Sequence, residues 1–458
     1  MLRMFSGLRI WASGSRASLG GARGLAADKR NRRIVVAAGA GVFQRLAQVA
    51  ATFFLIPILL RVLGPAQFGI WGAAVSLAWL AGFSDVGTGP ALLTLVARST
   101  ASNNTAEARR HIAGAVSFGC GLAGLAGLGT LAAWIALPQI RYGPYLIAAI
   151  GLAVNIPLTA ANSVWMALQK GYSSAFWELV QTLLTLAGVF AAAAWSRDVR
   201  IYVAIVYAGL VLANVGSLVH LFVRHPELRP EGLVAPLAAV KAVAGHGVGY
   251  FILGLAGGLF FLLDNIMALA LLGPEAAARM TIALRICITA AGALAVMSQP
   301  LWPAFSEAAA ARDWHWIRNI LIRGSALLVG ISIAGSSFLL VYGRRLLGWW
   351  LHQSLGITQS LLWAIAVWVF AQALIRVPCL LLNALSIIRY QIVVSSAALM
   401  LALALKLLLS SRLGVAGILW GTTAPFLLII FPAVTWRIFS WAKHADRGNP
   451  PPVTEVVG

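Results

Sequence analysis

Charged residues are scarce in this 458-residue chain, since Asp, Glu, Lys and Arg together make up only 10% of it. A soluble domain carries roughly 25% charged residues, because its surface has to be solvated. Hydrophobic residues make up 60% of the chain, and the mean hydropathy is +0.87. This balance excludes a soluble globular protein and predicts a membrane protein.

Residue patterns that bind cofactors are also lacking. The three cysteines, Cys120, Cys287 and Cys379, lie in apolar runs without disulfide or metal-site spacing, and we expect them to be small core residues. The seven histidines are scattered, and the sequence contains no glycine-rich phosphate loop or Walker pattern. The sequence therefore predicts no catalytic residues, no metal site and no cofactor, and it argues against ATP as the energy source.

Long apolar runs are what the chain does have. Ile147–Leu168 covers 22 residues and Ser325–Gly343 covers 19 residues without a charge, and a helix needs about 20 residues to cross the hydrocarbon core. Backbone polar groups inside lipid must pair within their own segment, so these runs are predicted to be helices. We predict about twelve spans, near residues 35–60, 68–97, 112–134, 144–168, 175–195, 201–222, 243–272, 280–302, 320–342, 360–385, 391–410 and 415–440.

The two halves of the chain resemble each other weakly. Leu63–Pro65 and Leu272–Pro274 both read Leu-Gly-Pro, and the same offset places Arg109 on Arg318. Parallel repeats of this kind place a substrate site at their interface. The predicted fold is an all-α membrane protein with two pseudo-symmetric six-helix bundles. The predicted division is a disordered basic N-tail (1–34), an N-lobe (35–222), an inter-lobe loop (223–242), a C-lobe (243–440) and a disordered C-tail (441–458).

The net charge of +21 comes mainly from basic residues in short loops between apolar runs, so we do not predict a nucleic-acid partner. With twelve spans, 22 Lys and Arg residues lie on the side of the termini and 8 on the other side. The positive-inside rule then predicts that both termini are cytoplasmic in a bacterial inner membrane. The basic N-tail would lie against anionic lipid.

Ionisable residues within spans are candidates for function, because they are costly in lipid. The candidates are Arg45, Asp85, Asp264, Arg285, Arg376 and Lys406, with Glu178 near a cytoplasmic helix end.

Two pairs follow from depth along antiparallel helices. Arg45 and Asp85 lie about 20 residues on either side of the first turn, and Asp264 and Arg285 about ten residues on either side of the turn near 274. We predict two ion pairs, which either fix the hairpins or face a wet cavity.

Two basic residues remain. Arg376 has no acidic residue at matched depth and precedes Pro378. It is expected to face a central cavity, or to bind carbonyls that the proline frees. Lys406 lies about six residues from the turn near Arg412 and can extend to the membrane interface. Four basic and two acidic groups favour an anionic substrate. A break in the second span, Gly82–Pro90, is typical of a helix that lines a cavity.

The stretch Phe54–Trp71 resembles the first hairpin of polysaccharide flippases, the O-antigen and exopolysaccharide members of the multidrug/oligosaccharidyl-lipid/polysaccharide exporter superfamily. Ser84–Gly87, Gln299–Glu307 and Leu382–Leu385 fit the same pattern. The resemblance implies export of an undecaprenyl-pyrophosphate-linked oligosaccharide by alternating access of two lobes around a cationic cavity. The partners it implies are the lipid-linked oligosaccharide, membrane lipids, and a polysaccharide polymerase with its export machinery.

Other functions stay open. A multidrug antiporter of the same superfamily would need a titratable membrane carboxylate, which Asp85 or Asp264 could supply. A polysaccharide polymerase or ligase typically carries a large outer loop, and no outer loop here exceeds about twenty residues. A major-facilitator transporter would carry Asp-Arg-x-Gly-Arg after the second span, where this chain has Ala97–Thr100.

Overall fold

A computed structural model describes the chain over residues 21–77, 88–101, 104–136, 143–230, 236–241, 260, 263–298, 301–310, 313–352, 355–385 and 387–445, with most side chains from Gly39 onward. Nearly all of these residues are helical. Asp85, most of the Gly82–Pro90 break, much of the seventh span and the outer parts of both tails lie outside the described residues.

Fifteen α-helices are described. In chain order they are α1 (Gly21–Ser76), α2 (Thr88–Ala101), α3 (Thr105–Ala136), α4 (Pro144–Asn155), α5 (Ala160–Ala167), α6 (Gly171–Ala193), α7 (Val199–Arg224), α8 (Leu263–Leu272), α9 (Pro274–Ser298), α10 (Leu301–Ala310), α11 (Trp314–Leu351), α12 (Gln359–Ala384), α13 (Ile388–Leu413), α14 (Val415–Pro425) and α15 (Phe431–Ala445). A 3₁₀ turn at Ile156–Thr159, which contains Pro157, joins α4 to α5, and a π turn at Phe426–Ile430 joins α14 to α15.

The helices confirm the all-α membrane fold. Ten helical segments of the described residues are long and apolar enough to cross a membrane. Two shorter apolar helices, Ala91–Thr100 and Leu263–Leu272, lie in the second and seventh predicted spans. Some helices are longer than predicted. The 38 residues of α11 extend over about 57 Å at 1.5 Å per residue, well beyond a hydrocarbon core of about 30 Å.

Parts of both tails are helical rather than disordered. Helix α1 begins at Gly21, so the second part of the basic N-tail continues directly into the first span. Helix α15 extends to Ala445, five residues into the segment expected to be disordered. Hydrophobic patterning alone did not predict these extensions, because neither segment is apolar.

The two Leu-Gly-Pro turns adopt equivalent conformations. Gly64 has φ 72° and Gly273 has φ 89°, which is the left-handed region that favours glycine. Gly64 interrupts α1, so that Pro65 starts the second helical segment of α1, and Pro274 starts α9. The structure thus shows equivalent turns at both positions of the weak repeat. We call the face of the molecule that carries these turns the turn side, and the opposite face the terminus side.

Following the predicted division, we refer to helices α1–α7 as the N-lobe and to α8–α15 as the C-lobe. In the N-lobe, α1 packs against α6 and α7, and α12 contacts most helices of the C-lobe. Helices α13 and α14 pack closely. A Cβ on Gly417 would overlap the Leu409 carbonyl, and a Cβ on Gly421 would overlap the Lys406 backbone. Small residues four apart allow two membrane helices to approach closely.

The buried core is shared between the lobes on one side only. On the turn side, Ile56 and Trp71 of the N-lobe belong to the same buried cluster as Met280 of the C-lobe. On the terminus side the described residues form two separate clusters. Trp165 belongs to the N-lobe cluster and Phe305 to the C-lobe cluster. The lobes are therefore joined at the turn side and have independent cores at the terminus side.

Polar contacts cross the joined region, which we call the seam. Asn265 donates through Nδ2 to Ser76 Oγ at 2.7 Å across the seam. Within the C-lobe, the side-chain oxygen Oδ1 of Asn265 accepts from Thr281 Oγ1 at 3.3 Å. At the edge of the seam, Trp350 Nε1 donates to the Phe53 carbonyl at 2.9 Å, and the two rings stack with centroids 5.4 Å apart. Both contacts join N-lobe helix α1 to the C-lobe.

Two glycines of α1 permit this close approach. A Cβ on Gly69 would overlap the Pro274 carbonyl, and a Cβ on Gly72 would overlap the Thr281 hydroxyl. The backbones of α1 and α9 thus touch at Gly69, and at Gly72 the Thr281 side chain packs directly against the α1 backbone. Van der Waals packing of this kind drives helix association in lipid.

We expect Gly72→Ala to open the seam, because overpacking costs about 1–3 kcal/mol and the new methyl group overlaps Thr281. Spin labels at the exposed residues Arg197 and Arg345, in a cysteine-free background, report the distance between the lobes on the turn side. Gly335→Ala is the control, since a Cβ there meets nothing within 4 Å. The distance should lengthen in the Gly72 variant only, and equal distributions in both variants would contradict the packing described.

Candidate functional site

Arg45 of the N-lobe lies within electrostatic range of two other charged side chains, Glu178 of the N-lobe and Arg376 of the C-lobe. Arg45 on α1 and Glu178 on α6 are exposed, and Arg376 on α12 is half-buried. The charge of Arg45 acts on both Glu178 and Arg376. We call Arg45, Glu178 and Arg376 the central charge cluster. It combines two permanent cations with one carboxylate, and its members come from the two lobes.

Arg376 is held in place by a neighbouring helix. Thr358 caps the start of α12 by accepting from Leu361 N–H, and Arg376 lies about 26 Å further along the helix. Its Nε donates to Ser298 Oγ, at 3.1 Å, and Ser298 in turn donates to the Leu294 carbonyl at 2.8 Å. The bond to Ser298 is the guanidinium's only hydrogen bond to the described residues. It orients the group and leaves the two terminal nitrogens for another acceptor.

The sequence analysis gave Arg376 two possible roles, facing a central cavity or binding carbonyls freed by Pro378. Among the described residues, its side chain binds no carbonyl freed by Pro378, so that structural role has no support. The contact with Ser298 was not predicted. A small polar residue at the end of an apolar span, just before Pro300, was the only signal in the sequence.

Glu178 takes a place that the sequence analysis did not assign. It was treated as a residue near a helix end, whereas the structure places its carboxylate within electrostatic range of Arg45. The expected partner of Arg45, Asp85, lies outside the described residues, and that pair stays a prediction. The carboxylate near Arg45 that the structure does describe belongs to Glu178.

The predicted Asp264–Arg285 pair is wrong. Asp264 Oδ1 lies 2.7 Å from Lys406 Nζ, and both side chains are fully buried. Thr422 Oγ1 donates to the Asp264 carboxylate at 2.9 Å, and Lys406 Nζ also donates to the Phe260 carbonyl at 2.8 Å. Lys406 therefore does not extend to the membrane interface. In this conformation neither Asp264 nor Lys406 reaches an open cavity.

The reason for this difference is the rotation of α8. Depth along the hairpin matches Asp264 to Arg285, but Asp264 faces the interior of the C-lobe between α13 and α14. Gly421 has no side chain, so α14 lies directly against the backbone of Lys406. The lysine can therefore turn toward α8. The ion pair joins α8 to α13, and the hydrogen bond from Thr422 adds α14 of the same lobe.

Arg285 is half-buried on α9 and has no hydrogen bond or ion pair with the described residues. Arg285 is thus a third cation in the membrane-spanning region, after Arg45 and Arg376, and it has no ion-pair partner among the described residues. The cysteines also differ from expectation. Cys287 is buried as predicted, but Cys120 is exposed and Cys379 is half-buried near Arg376.

The family model for polysaccharide biosynthesis proteins matches residues 38–309, which is more than half of the chain. The match includes all of the described N-lobe membrane helices and continues into α10 of the C-lobe. No sequence among the curated proteins matches the chain.

Solved structures share the fold along nearly the whole length. A multidrug resistance MATE-family transporter of the MOP superfamily in an inward-facing conformation matches with a TM-score of 0.73 at 13% identity, covering 89% of this chain and 99% of that one. An outward-facing structure of such a transporter gives 0.62 at 13% identity, with 91% and 97% covered. A MOP-superfamily transporter from Pyrococcus furiosus, described as having a binding pocket of reverse polarity, gives 0.64 at 12% identity, with 90% and 96% covered.

The low sequence identities to the solved structures establish the fold only. The family model, which matches more than half of the chain, also establishes the protein family. The chain belongs to the polysaccharide biosynthesis protein family and has the fold of the MOP-superfamily transporters.

Proposed function

We propose that the protein is a flippase. It moves a lipid-linked oligosaccharide of the undecaprenyl-pyrophosphate type from the cytoplasmic to the periplasmic leaflet, for the synthesis of a surface polysaccharide. The observation that carries the proposal is the central charge cluster, in which Arg45 of one lobe and Arg376 of the other lie within electrostatic range in a polysaccharide-family protein. A guanidinium is always charged, and its planar fork matches phosphate oxygens.

The division of the core supports alternating access. The lobes have separate cores on the terminus side and share one core on the turn side. If the termini are cytoplasmic, this conformation is open toward the cytoplasm, where the substrate is made. Release on the other side requires the seam to separate and the terminus-side halves to approach. The two lobes would then rock around the central charge cluster.

Deleting the gene tests the proposal. A flippase mutant should lack one surface polysaccharide and accumulate its lipid-linked precursor in the cytoplasmic leaflet, where an impermeant glycan-oxidising reagent applied to spheroplasts cannot reach it. A polymerase or ligase mutant would instead expose the precursor on the outer leaflet. An outer-leaflet precursor in the deletion strain would therefore overturn the flippase proposal.

The orientation is a separate prediction. From the excess of Lys and Arg on the terminus side we expect the C-terminus to be cytoplasmic. An alkaline phosphatase fusion after Gly448 should be inactive, and the same reporter inserted after Arg412, at the turn between α13 and α14, should be active. Green fluorescent protein fusions at the same positions should give the opposite pattern. Phosphatase activity at Gly448 would contradict the orientation.

A multidrug or cation antiporter is the second candidate, and one observation favours it. Glu178 is an exposed carboxylate beside the central cations, and a titratable carboxylate is what an antiporter requires. Asp264 is less suited, because Lys406 and Thr422 already bind it in a fully buried site. If the antiporter reading is correct, the deletion strain should become sensitive to cationic drugs while its surface polysaccharide stays intact. The polymerase and export machinery remain proposed partners.

A further inference from the structure

A recess of about 500 Å³ lies between the turn-side ends of α1, α6 and α11. Its walls are mainly aromatic. The aromatic walls are Phe53 and Phe54 of α1, Phe190 of α6, and Trp349 and Trp350 of α11, and the smaller apolar residues Pro57, Ile58, Val62 and Ala193 complete the lining. Four of the aromatic side chains, those other than Trp350, are at least 43% exposed, so the recess opens outward rather than into the protein core.

The recess has a cationic end. Arg61 and His352 belong to its lining, and no Asp or Glu does. Arg61 is exposed and has no hydrogen bond or ion pair with the described residues. His352 ends α11 in the left-handed conformation, with Nδ1 3.1 Å from the Trp350 carbonyl. A permanent cation thus lies beside an apolar, aromatic surface.

The recess also spans the two lobes. Phe53 and Trp350 form the hydrogen bond and ring stack that close the edge of the seam, and both line the recess. Its shape must therefore change when the seam separates. Aromatic residues are common at membrane interfaces as anchors, but here they form the walls of one concave site with an arginine at its end.

We propose that this recess binds the polyprenyl-phosphate end of the lipid-linked oligosaccharide on the turn side. The isoprenoid units lie against the aromatic walls and a phosphate oxygen accepts from Arg61. This assignment rests on the proposed function, because it names the carrier lipid of the same substrate. The charge balance selects an anionic lipid, and the position at the edge of the seam selects the lipid that passes between the lobes.

Photo-crosslinking tests the site without requiring export. The full-length protein is reconstituted in phosphatidylcholine vesicles with a polyprenyl monophosphate that carries a diazirine in its isoprenoid chain. Cross-linked peptides should map to segments 53–62 and 349–352. Excess undecaprenyl phosphate should compete, whereas undecaprenol and phosphatidylglycerol should compete much less.

Matched variants assign the phosphate contact. Arg61→Gln should lower the apparent affinity of the probe for these segments roughly tenfold or more, because it removes a charged hydrogen bond. Arg412→Gln changes an exposed arginine at another turn-side position and should have no effect. Trp349→Ala, which removes a wall and keeps the charge, should also weaken cross-linking.

Three results would overturn the site. They are cross-links that avoid both segments, equal competition by phosphatidylglycerol, and equal labelling of the Arg61 and Arg412 variants. The readout is independent of transport. If the deletion strain shows that the protein is not a flippase, specific labelling of the recess would still identify a polyprenyl-phosphate site. If the protein is a flippase but the recess is not labelled, the recess is not a polyprenyl-phosphate site.

Discussion

Replacing Lys406 by methionine should lower the free energy of unfolding by about 3–5 kcal/mol, the range for breaking a buried ion pair. The change leaves the fully buried Asp264 carboxylate with the Thr422 hydroxyl as its remaining described partner. It also removes the bond from Lys406 Nζ to the Phe260 carbonyl. Thermal unfolding of the purified protein in detergent measures the loss, and gel filtration measures how much protein stays monodisperse.

Two further variants separate the ion pair from general damage to α13. Arg412→Gln lies on the same helix, is exposed, and should leave the unfolding midpoint unchanged. The double variant Asp264→Leu with Lys406→Met should recover most of the stability, because replacing a buried pair by apolar residues of similar volume is often neutral or stabilising. A Lys406→Met protein as stable as the wild type would contradict the burial of the pair.

Features that depend on local sequence were predictable. Apolar run length identifies a membrane span directly, and all ten long spans fall where such runs lie. The turns at Gly64 and Gly273 were predictable for the same reason. Glycine is needed for a positive φ, and the following proline fits the first turn of a helix.

Side-chain partners were not predictable from depth. Successive residues of a helix point about 100° apart, so two residues at one depth on neighbouring helices can face in different directions. Asp264 and Arg285 have matched depth, but the partner of Asp264 is Lys406, on the eleventh span. Only the close approach of α13 and α14 at Gly421 makes that contact possible, and it depends on tertiary packing.

The contacts between the two lobes could not be predicted from the sequence either. Gly69 lies within the stretch that resembles polysaccharide flippases and Gly72 directly follows it, yet their contacts with Pro274 and Thr281 join segments about 200 residues apart. The electrostatic interaction between Arg45 and Arg376 depends on the same packing of the two lobes. The sequence predicted that both are cations inside the membrane, and the structure adds that Glu178 shares their site.

Arg376→Gln should abolish most glycan export while the protein still inserts and accumulates normally. An arginine at the bilayer centre costs about 2.5–3.5 kcal/mol on insertion scales, so a cation at this depth implies a use. Ser298 binds its Nε, and the two terminal nitrogens make no hydrogen bond to the described residues, so they can bind a pyrophosphate. Glutamine keeps hydrogen bonding and similar length but removes the charge. Loss of charged hydrogen bonds should reduce the export rate roughly 10- to 100-fold.

The measurement is the amount of surface polysaccharide in a deletion strain that carries each variant, normalised to protein in the membrane. Arg323→Gln, an exposed arginine on α11 of the same lobe, is the matched control and should export normally. Ser298→Ala should give a smaller loss, because it frees the guanidinium without removing its charge. If Arg376 only held helices together, Arg376→Gln would lower protein accumulation and export in parallel. Normal export by the Arg376 variant would remove this residue from the substrate path. The case for an anionic substrate would then depend on Arg45, Arg285 and the proposed phosphate contact of Arg61.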